Sequence, residues 1–233
     1  MPRRPPRKPA ADLDLSRHLV ELARLPEPFD PATLFPAAAP VELEVGSGKG
    51  LFLTTASAAR PTCNFVGVEI SGGYARMCAG RVAAVGSDNA RIIHGDGTFL
   101  VRSLLPDGCL AGMHVYFPDP WWKARHKKRR VLSEPFLRHA GRTLATGADL
   151  HVWTDVEEYY QSALASAAAT GLFAPPREEP AGTPLHDLDY RTHFERRTRL
   201  AGQPVWRAAL TRTSAAAPEA RVATAGDQAR AVS

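Results

Sequence analysis

The chain is expected to fold as an α/β domain, a mostly parallel sheet with helices on both faces. Three observations carry that expectation. Short apolar runs alternate with stretches of helical periodicity through residues 41–170. The first run feeds directly into a glycine-rich turn. Acidic residues recur at or beside the carboxyl ends of successive runs. Alternation of this kind implies βαβ crossovers, and sheets so built hold ligands beyond the carboxyl ends of their strands.

VELEV (41–45) reads as a buried strand, followed by a helix over about 49–59. NFVGVEI (64–70) is a second strand and Tyr74–Val85 a helix, with ARIIHG (90–95) a third strand. GMHVYF (112–117) is a fourth, stopped by Pro118. Ser133 suits the N-cap of a helix running to about Leu144, since Pro135 is tolerated in a first turn. DLHVWT (149–154) is a fifth strand, followed by a helix over 156–169. LFAPP (172–176) and PVWRAAL (204–210) are expected as late strands joined by a long polar loop.

At 233 residues and 44% hydrophobic content the chain can build one ordinary core. The folded part is expected over 15–212, between a Pro- and Arg-rich arm (1–14) and a tail (213–233) that bury too little apolar surface to order alone. No run of 18 apolar residues suits a membrane span, and no apolar stretch follows the basic N-terminus as a secretory signal requires. A cytoplasmic protein is expected, monomeric or homodimeric. Cys63, Cys78 and Cys109 are widely spaced and odd in number, which suits neither a disulfide framework nor a zinc site. The eight histidines are scattered, so no metal is expected.

Gly46-Ser47-Gly48-Lys49-Gly50 lets backbone approach a ligand closely, but it is neither common phosphate-binding loop. Lys49 is followed by glycine where a P-loop needs Ser or Thr, and the third glycine comes one residue too early for the dinucleotide fingerprint. Glu44 separates the remaining possibilities. A carboxylate there would repel a pyrophosphate and suit a ligand carrying ammonium and sulfonium groups, and an unpaired acid inside an apolar strand is otherwise costly. S-adenosyl-L-methionine has both cations and no phosphate. Gly46 and Gly48 would cradle it, Glu69 would accept from its ribose hydroxyls, and Asp96 from its adenine amine. Asp119 completes the set. Asp96 lies in a Gly-Asp-Gly turn, where a plain turn role serves equally.

Phe117-Pro118-Asp119-Pro120-Trp121-Trp122 locks the backbone around Asp119 between two prolines. Both tryptophans can offer a face to a base, though packing suits at least one. Lys123, Arg125, Lys127, Lys128, Arg129 and Arg130 follow within eight residues, inside a chain of formal net charge +5. Such a block repels itself and seeks a polyanion, so these cations are candidate RNA-backbone contacts.

From Phe117 to Arg130 the sequence FPDPWWKARHKKRR closely resembles the signature of the bacterial tRNA (guanine-N7-)-methyltransferases, the TrmB family. The resemblance extends from about Val41 to Leu210. It implies the Rossmann-like fold of class I S-adenosylmethionine-dependent methyltransferases. It also implies cofactor positions at Glu44, Glu69, Asp96 and Asp119, and substrate contacts at Lys123 and Asp155. Thr192-His193-Phe194-Glu195 resembles the family's Thr-x-Phe-Glu substrate motif, which adds Thr192 and Glu195. The chain departs from the pattern at Ser47, where an aromatic residue is usual. It departs again at Gly97 (usually Ala), His193 (usually Lys) and Thr198 (usually Gly).

The implied reaction is methylation of a tRNA variable-loop guanosine at N7. That nitrogen carries no proton, so the enzyme's task is positioning and stabilising a purine that becomes cationic. Asp119 is the expected carboxylate at the reacting centre, while Asp155, Thr192 and Glu195 would read the guanine edge. Asp155 could instead cap the helix after it, as could Thr154. Two other functions fit the same residues: a methyltransferase with a different acceptor, and an RNA-binding protein that keeps the fold without turnover.

Overall fold

The computed structural model describes residues 14–184 and 189–214, without the side chains of Ala124 and Lys127. The expected disordered arm and tail therefore lie outside the described residues, apart from Asp14 and from Thr213 and Ser214. Eight strands form one sheet: β1 (Leu19–Glu21), β2 (Val41–Val45), β3 (Asn64–Glu69), β4 (Ala90–His94), β5 (Leu110–Tyr116), β6 (Leu144–Thr154), β7 (Arg177–Glu178) and β8 (Trp206–Thr211). Their spatial order is β1-β4-β3-β2-β5-β6-β8-β7. The first six positions are parallel, and β8 and β7 join antiparallel. From β2 the chain winds outward to β3 and β4, then returns to the other side of β2 to form β5 and β6. The crevice between β2 and β5 is thus a topological switch point, where such sheets bind ligands.

Helices α1 (Leu51–Ala59) and α2 (Gly72–Ala84) follow β2 and β3, and α3 (Gly97–Phe99) continues into a π-helical turn at Leu100–Leu104. Helices α4 (Glu134–Thr143), α5 (Glu157–Thr170) and α6 (His193–Leu200) complete the set among the described residues. One core packs α4, α5 and the π turn against Leu43, Val45, Met113, Val115, Leu150 and Val152. The other packs α1 and α2 against Phe65, Ile92, Tyr116 and Trp153.

Several elements differ from expectation, among them α3 with its π-helical turn, where none was expected, and β6, which begins at Leu144 and not at Asp149. Strand β1 is three residues long, too short to show a period. Helix α6 replaces part of the expected polar loop; six of its eight residues are polar or charged, so it presents no apolar stripe. Residues 172–176 are not a strand: Phe173 makes one isolated bridge to Arg212, and pairing resumes at Arg177. Pro175 and Pro176 lack the N–H a ladder needs. Ile70 lies outside β3 and is 71% exposed.

A polar row crosses the α1 face of the sheet. Glu42 on β2 takes both guanidinium nitrogens of Arg60, at 2.6 and 2.8 Å, and hydrogen-bonds His114 Nε2 at 2.8 Å. His114 Nδ1 meets the Tyr116 hydroxyl at 2.8 Å, and its ring stacks on His151 with centroids 4.7 Å apart. Burial lowers the His114 pKa to about 4 from an ordinary 6.5, against the opposing pull of Glu42. Burial would raise Glu42, but its bonds to His114 and Arg60 outweigh that and bring it to about 2. Between pH 6.5 and 4 the unfolded chain binds more protons at His114 than the folded one, so stability falls as pH falls through that window. Glu42 extends the loss below pH 4.5. The His114 share is about 3 kcal/mol. Thermal unfolding from pH 7 to pH 4 should therefore show a steep loss for the natural chain and a flatter one for His114→Gln. Parallel curves would remove His114 from the acid response.

Candidate functional site

The site lies at the carboxyl ends of β2, β3, β4, β5 and β6. Gly46 and Gly48 take positive φ values of 84° and 52°, and a Cβ at Gly46 would meet nothing within 4 Å, so the loop has room for a ligand against its backbone. Gly46 N and Ser47 N both donate to Val68 O, at 2.8 and 3.2 Å. Gly48 N donates to Glu69 Oε2 at 2.8 Å, and Ser71 N donates to Glu69 Oε1 at 2.8 Å. Glu69 therefore fixes the loop's shape while standing at the end of the next strand.

Glu44 is 2% exposed and its Oε2 has no hydrogen-bond partner. Burial, with the Glu69 carboxylate nearby, holds its carboxyl well above the ordinary range. Ser47 Oγ beside it is also buried and unpartnered. A buried acceptor left unmade costs about 1–3 kcal/mol, and more when charged. A cationic ligand at the loop would relieve that cost. The donor set is acidic and lies against an open glycine backbone, so it fits S-adenosylmethionine and suits a phosphate poorly.

Asp96 Oδ1 caps α3, accepting from Thr98 N at 2.8 Å and Phe99 N at 3.4 Å. Its turn role is thus realised, and a carboxylate that accepts two bonds retains acceptor capacity. Gly97 follows, where a Cβ would come within 2.8 Å of Val68 Cγ1 and 2.9 Å of Val45 Cγ1. The departure from alanine at this position thus matches two bulky neighbours. Ile70 directly follows β3 and Phe99 ends α3, the short helix after β4; they are 71% and 39% exposed. Each is a large exposed apolar residue close behind an acid of the set, Glu69 or Asp96.

Phe117 leaves β5 with its N–H bonded to Trp153 O at 2.7 Å. Phe117 and Trp121 adopt φ values of 50° and 44°, so the exposed Asp119 sits between two strained aromatic residues. Such positions cost about 1–3 kcal/mol each and persist only where surroundings hold them. Phe117 packs on Phe194 of α6 at 5.0 Å between centroids.

The basic segment forms a 3-10 turn over Ala124–Arg129. Lys123, Arg125, Lys128 and Arg129 are exposed, whereas the Lys127 side chain is outside the described residues. The two tryptophans divide their roles: Trp121 packs under Arg129 and against His126, while Trp122 is 70% exposed. Arg130 departs from the expected RNA contact. It is 7% exposed, and its guanidinium is held by Glu158 and Pro120 inside the protein.

Thr154 Oγ1, not Asp155, accepts from Val156 N, at 3.2 Å. Helix α5 begins after Val156 without a side-chain cap, and the half-buried Asp155 stands just past the end of β6. Thr192 and Glu195 are placed otherwise than expected. Thr192 caps α6 by accepting from Glu195 N at 3.0 Å, and Glu195 Oε2 reaches back to Arg191 N at 2.7 Å. Glu195 Oε1 takes Arg199 at 3.2 Å and Arg207 at 3.1 Å, and the residue is 2% exposed. This variant of the capping box orients α6, so Glu195 would act on a base only through the helix it anchors.

A mostly parallel sheet with a glycine loop at its switch point and acids at the carboxyl ends of the neighbouring strands defines a class I S-adenosylmethionine-dependent methyltransferase. Solved structures agree at the level of fold. A 16S rRNA (adenine(1408)-N(1))-methyltransferase from Catenulisporales acidiphilia, with cosubstrate SAM, superposes with a TM-score of 0.55 at 19% identity, covering 78% of this chain and 89% of that one. The antibiotic-resistance methyltransferase Kmr gives 0.53 at 19% identity, over 78% and 90%. Residues 38–208 match a family model described as a putative methyltransferase. A tRNA (guanine-N(7)-)-methyltransferase of Rhodopirellula baltica is 44% identical over 220 residues, 92% of this chain and 81% of that one. Its namesake in Sodalis glossinidius is 38% identical over 189 residues, 77% and 75% of the two chains. The chain belongs to the tRNA (guanine-N7-)-methyltransferase family, TrmB. Among the described residues no helix is long and apolar enough to cross a membrane, and no cluster of three His, Cys, Asp or Glu side chains could hold a metal.

Proposed function

We propose that the protein methylates N7 of a guanosine in the variable loop of tRNA. The observation that carries this is Glu44: a buried, unpartnered carboxyl oxygen beside the open glycine loop, suited to a cationic cofactor. S-adenosylmethionine, when bound, supplies an electrophilic methyl carbon. Glu44, Gly46 and Gly48 hold its charged end, Glu69 its ribose and Asp96 its adenine amine, with Ile70 and Phe99 as apolar walls for the purine. Asp119 sits where the guanine must enter, and its fixed negative charge offsets the positive charge that N7 acquires. Asp155 accepts from the guanine N1–H and 2-amino group, which adenine does not offer in that arrangement.

The acceptor is held by the exposed cations Lys123, Arg125, Lys128 and Arg129, with Lys127 in the same run. Trp122 offers a face on which a base withdrawn from the tRNA can stack. Stacking of this kind is worth about 1–3 kcal/mol, so Trp122→Ala should weaken tRNA binding about tenfold or more while sparing cofactor affinity. Equal tRNA affinity would place Trp122 outside the interface. The protein acts as a monomer or a homodimer. Unpaired thiols at Cys63, Cys78 and Cys109 accord with a cytoplasmic protein. The acceptor atom is tested with a transcript whose variable-loop guanosine is replaced by 7-deazaguanosine. Methyl acceptance should vanish; undiminished acceptance would overturn N7 as the target.

A further inference from the structure

We propose that Arg130 and Glu158 form a latch that holds Asp119 in its working position, making Arg130 a positioning residue and not a phosphate contact. The inference rests on the methyl transfer to tRNA proposed above. Arg130 ends the basic block, yet it is 7% exposed while Lys123, Arg125, Lys128 and Arg129 face solvent. Its Nη1 and Nη2 donate to the two Glu158 oxygens at 3.1 and 2.7 Å, the forked geometry that guanidinium and carboxylate share. Its Nε donates to Pro120 O at 2.8 Å, and its guanidinium carbon lies 4.7 Å from the centre of the Tyr159 ring.

These contacts close the neck of the basic loop. Pro120 precedes the loop, Arg130 follows it, and both are tied to the first turn of α5 through Glu158. Tyr159, 0% exposed, adds a third tie by accepting from Leu132 N at 3.1 Å. Pro120 directly follows Asp119, and the segment is bounded by Phe117 and Trp121 in left-handed conformations. Aromatic residues do not hold that conformation unaided. The bond from Arg130 to Pro120 O supplies a restraint between them. Turning Arg130 outward to meet a phosphate would break all three of its bonds. An acid at position 158 is also out of place in a surface built to grip phosphates, but it is needed if Arg130 must face inward.

The test compares Glu158→Gln, Arg130→Lys and the double variant. Lysine keeps the charge but cannot form the fork. The latch predicts that each single variant lowers kcat for tRNA by about tenfold or more, as small misplacements of reacting groups do. Cofactor affinity and the salt dependence of tRNA binding should not move, and the double variant should be no worse than the poorer single one. Hydrogen exchange in the segment 117–132 should accelerate in Glu158→Gln, whose substituted residue is half-exposed and tolerant of change. An unchanged kcat and exchange rate in Glu158→Gln would overturn the latch. So would a fall of about 0.9 in the log–log salt slope for Arg130→Lys, the signature of one lost phosphate contact. If the natural chain methylates no tRNA, the acceptor proposal fails, and the exchange comparison still decides the latch.

Discussion

Asp119→Ala is expected to lower kcat for tRNA methylation by about 10²–10³-fold, the cost of removing one preorganised electrostatic group at a reacting centre. The reason is positional. Asp119 is the one acid of the set on a loop held by strained residues at both ends, Phe117 at φ 50° and Trp121 at φ 44°. A fold accepts that strain where it fixes the direction of a group, and between these two residues stand only two prolines and this carboxylate. The charge on guanine grows during transfer, so a fixed carboxylate helps the transition state more than bound tRNA. The loss should therefore appear in kcat, with KM for tRNA and calorimetric cofactor affinity changing by only a few fold. Asp119→Asn keeps the shape and loses the charge, and should be nearly as impaired. An alanine variant with full turnover would remove Asp119 from the reacting centre.

Glu69→Ala should weaken cofactor binding by about 10²-fold, measured by calorimetry in the absence of tRNA. Two effects combine. The carboxylate accepts from Gly48 N and Ser71 N, both at 2.8 Å, so its removal releases the glycine loop from its shape. It also deprives the ribose of its acceptor. Hydrogen bonds to a charged group are worth about 1.5–3 kcal/mol each, and losing the equivalent of one or two gives the expected factor. Glu69→Gln should fall between, since its carboxamide can still accept one backbone N–H. Unchanged affinity in the alanine variant would take Glu69 out of the cofactor site.

The parts of the site that were legible in the sequence are those whose chemistry conflicts with their surroundings. Glu44 stands out because a carboxyl inside an apolar strand demands a partner, and in the fold its Oε2 has none. Asp119 stands out because flanking prolines restrict it. The sheet and most helices were legible from alternating apolar runs, which directly reflect burial on both faces. Direction of a side chain is a different matter. Six clustered cations look alike in sequence, and only packing against Tyr159 and Glu158 turns Arg130 inward. Likewise Ile70 continues an apolar run but lies past the last β3 pairing, at Glu69 opposite His94. Helix α6 lacks an apolar stripe, yet Thr192 and Glu195 have the spacing of a capping box, a start signal present in the sequence. The same pair anchors the helix that carries Phe194 against Phe117.

The most direct test is transfer of labelled methyl from S-adenosylmethionine to unmodified tRNA, with the product digested to nucleosides. The account predicts label in 7-methylguanosine, abolished when the variable-loop guanosine is replaced by adenosine. Cofactor binding with no label in RNA, or label in any other nucleoside, would contradict it.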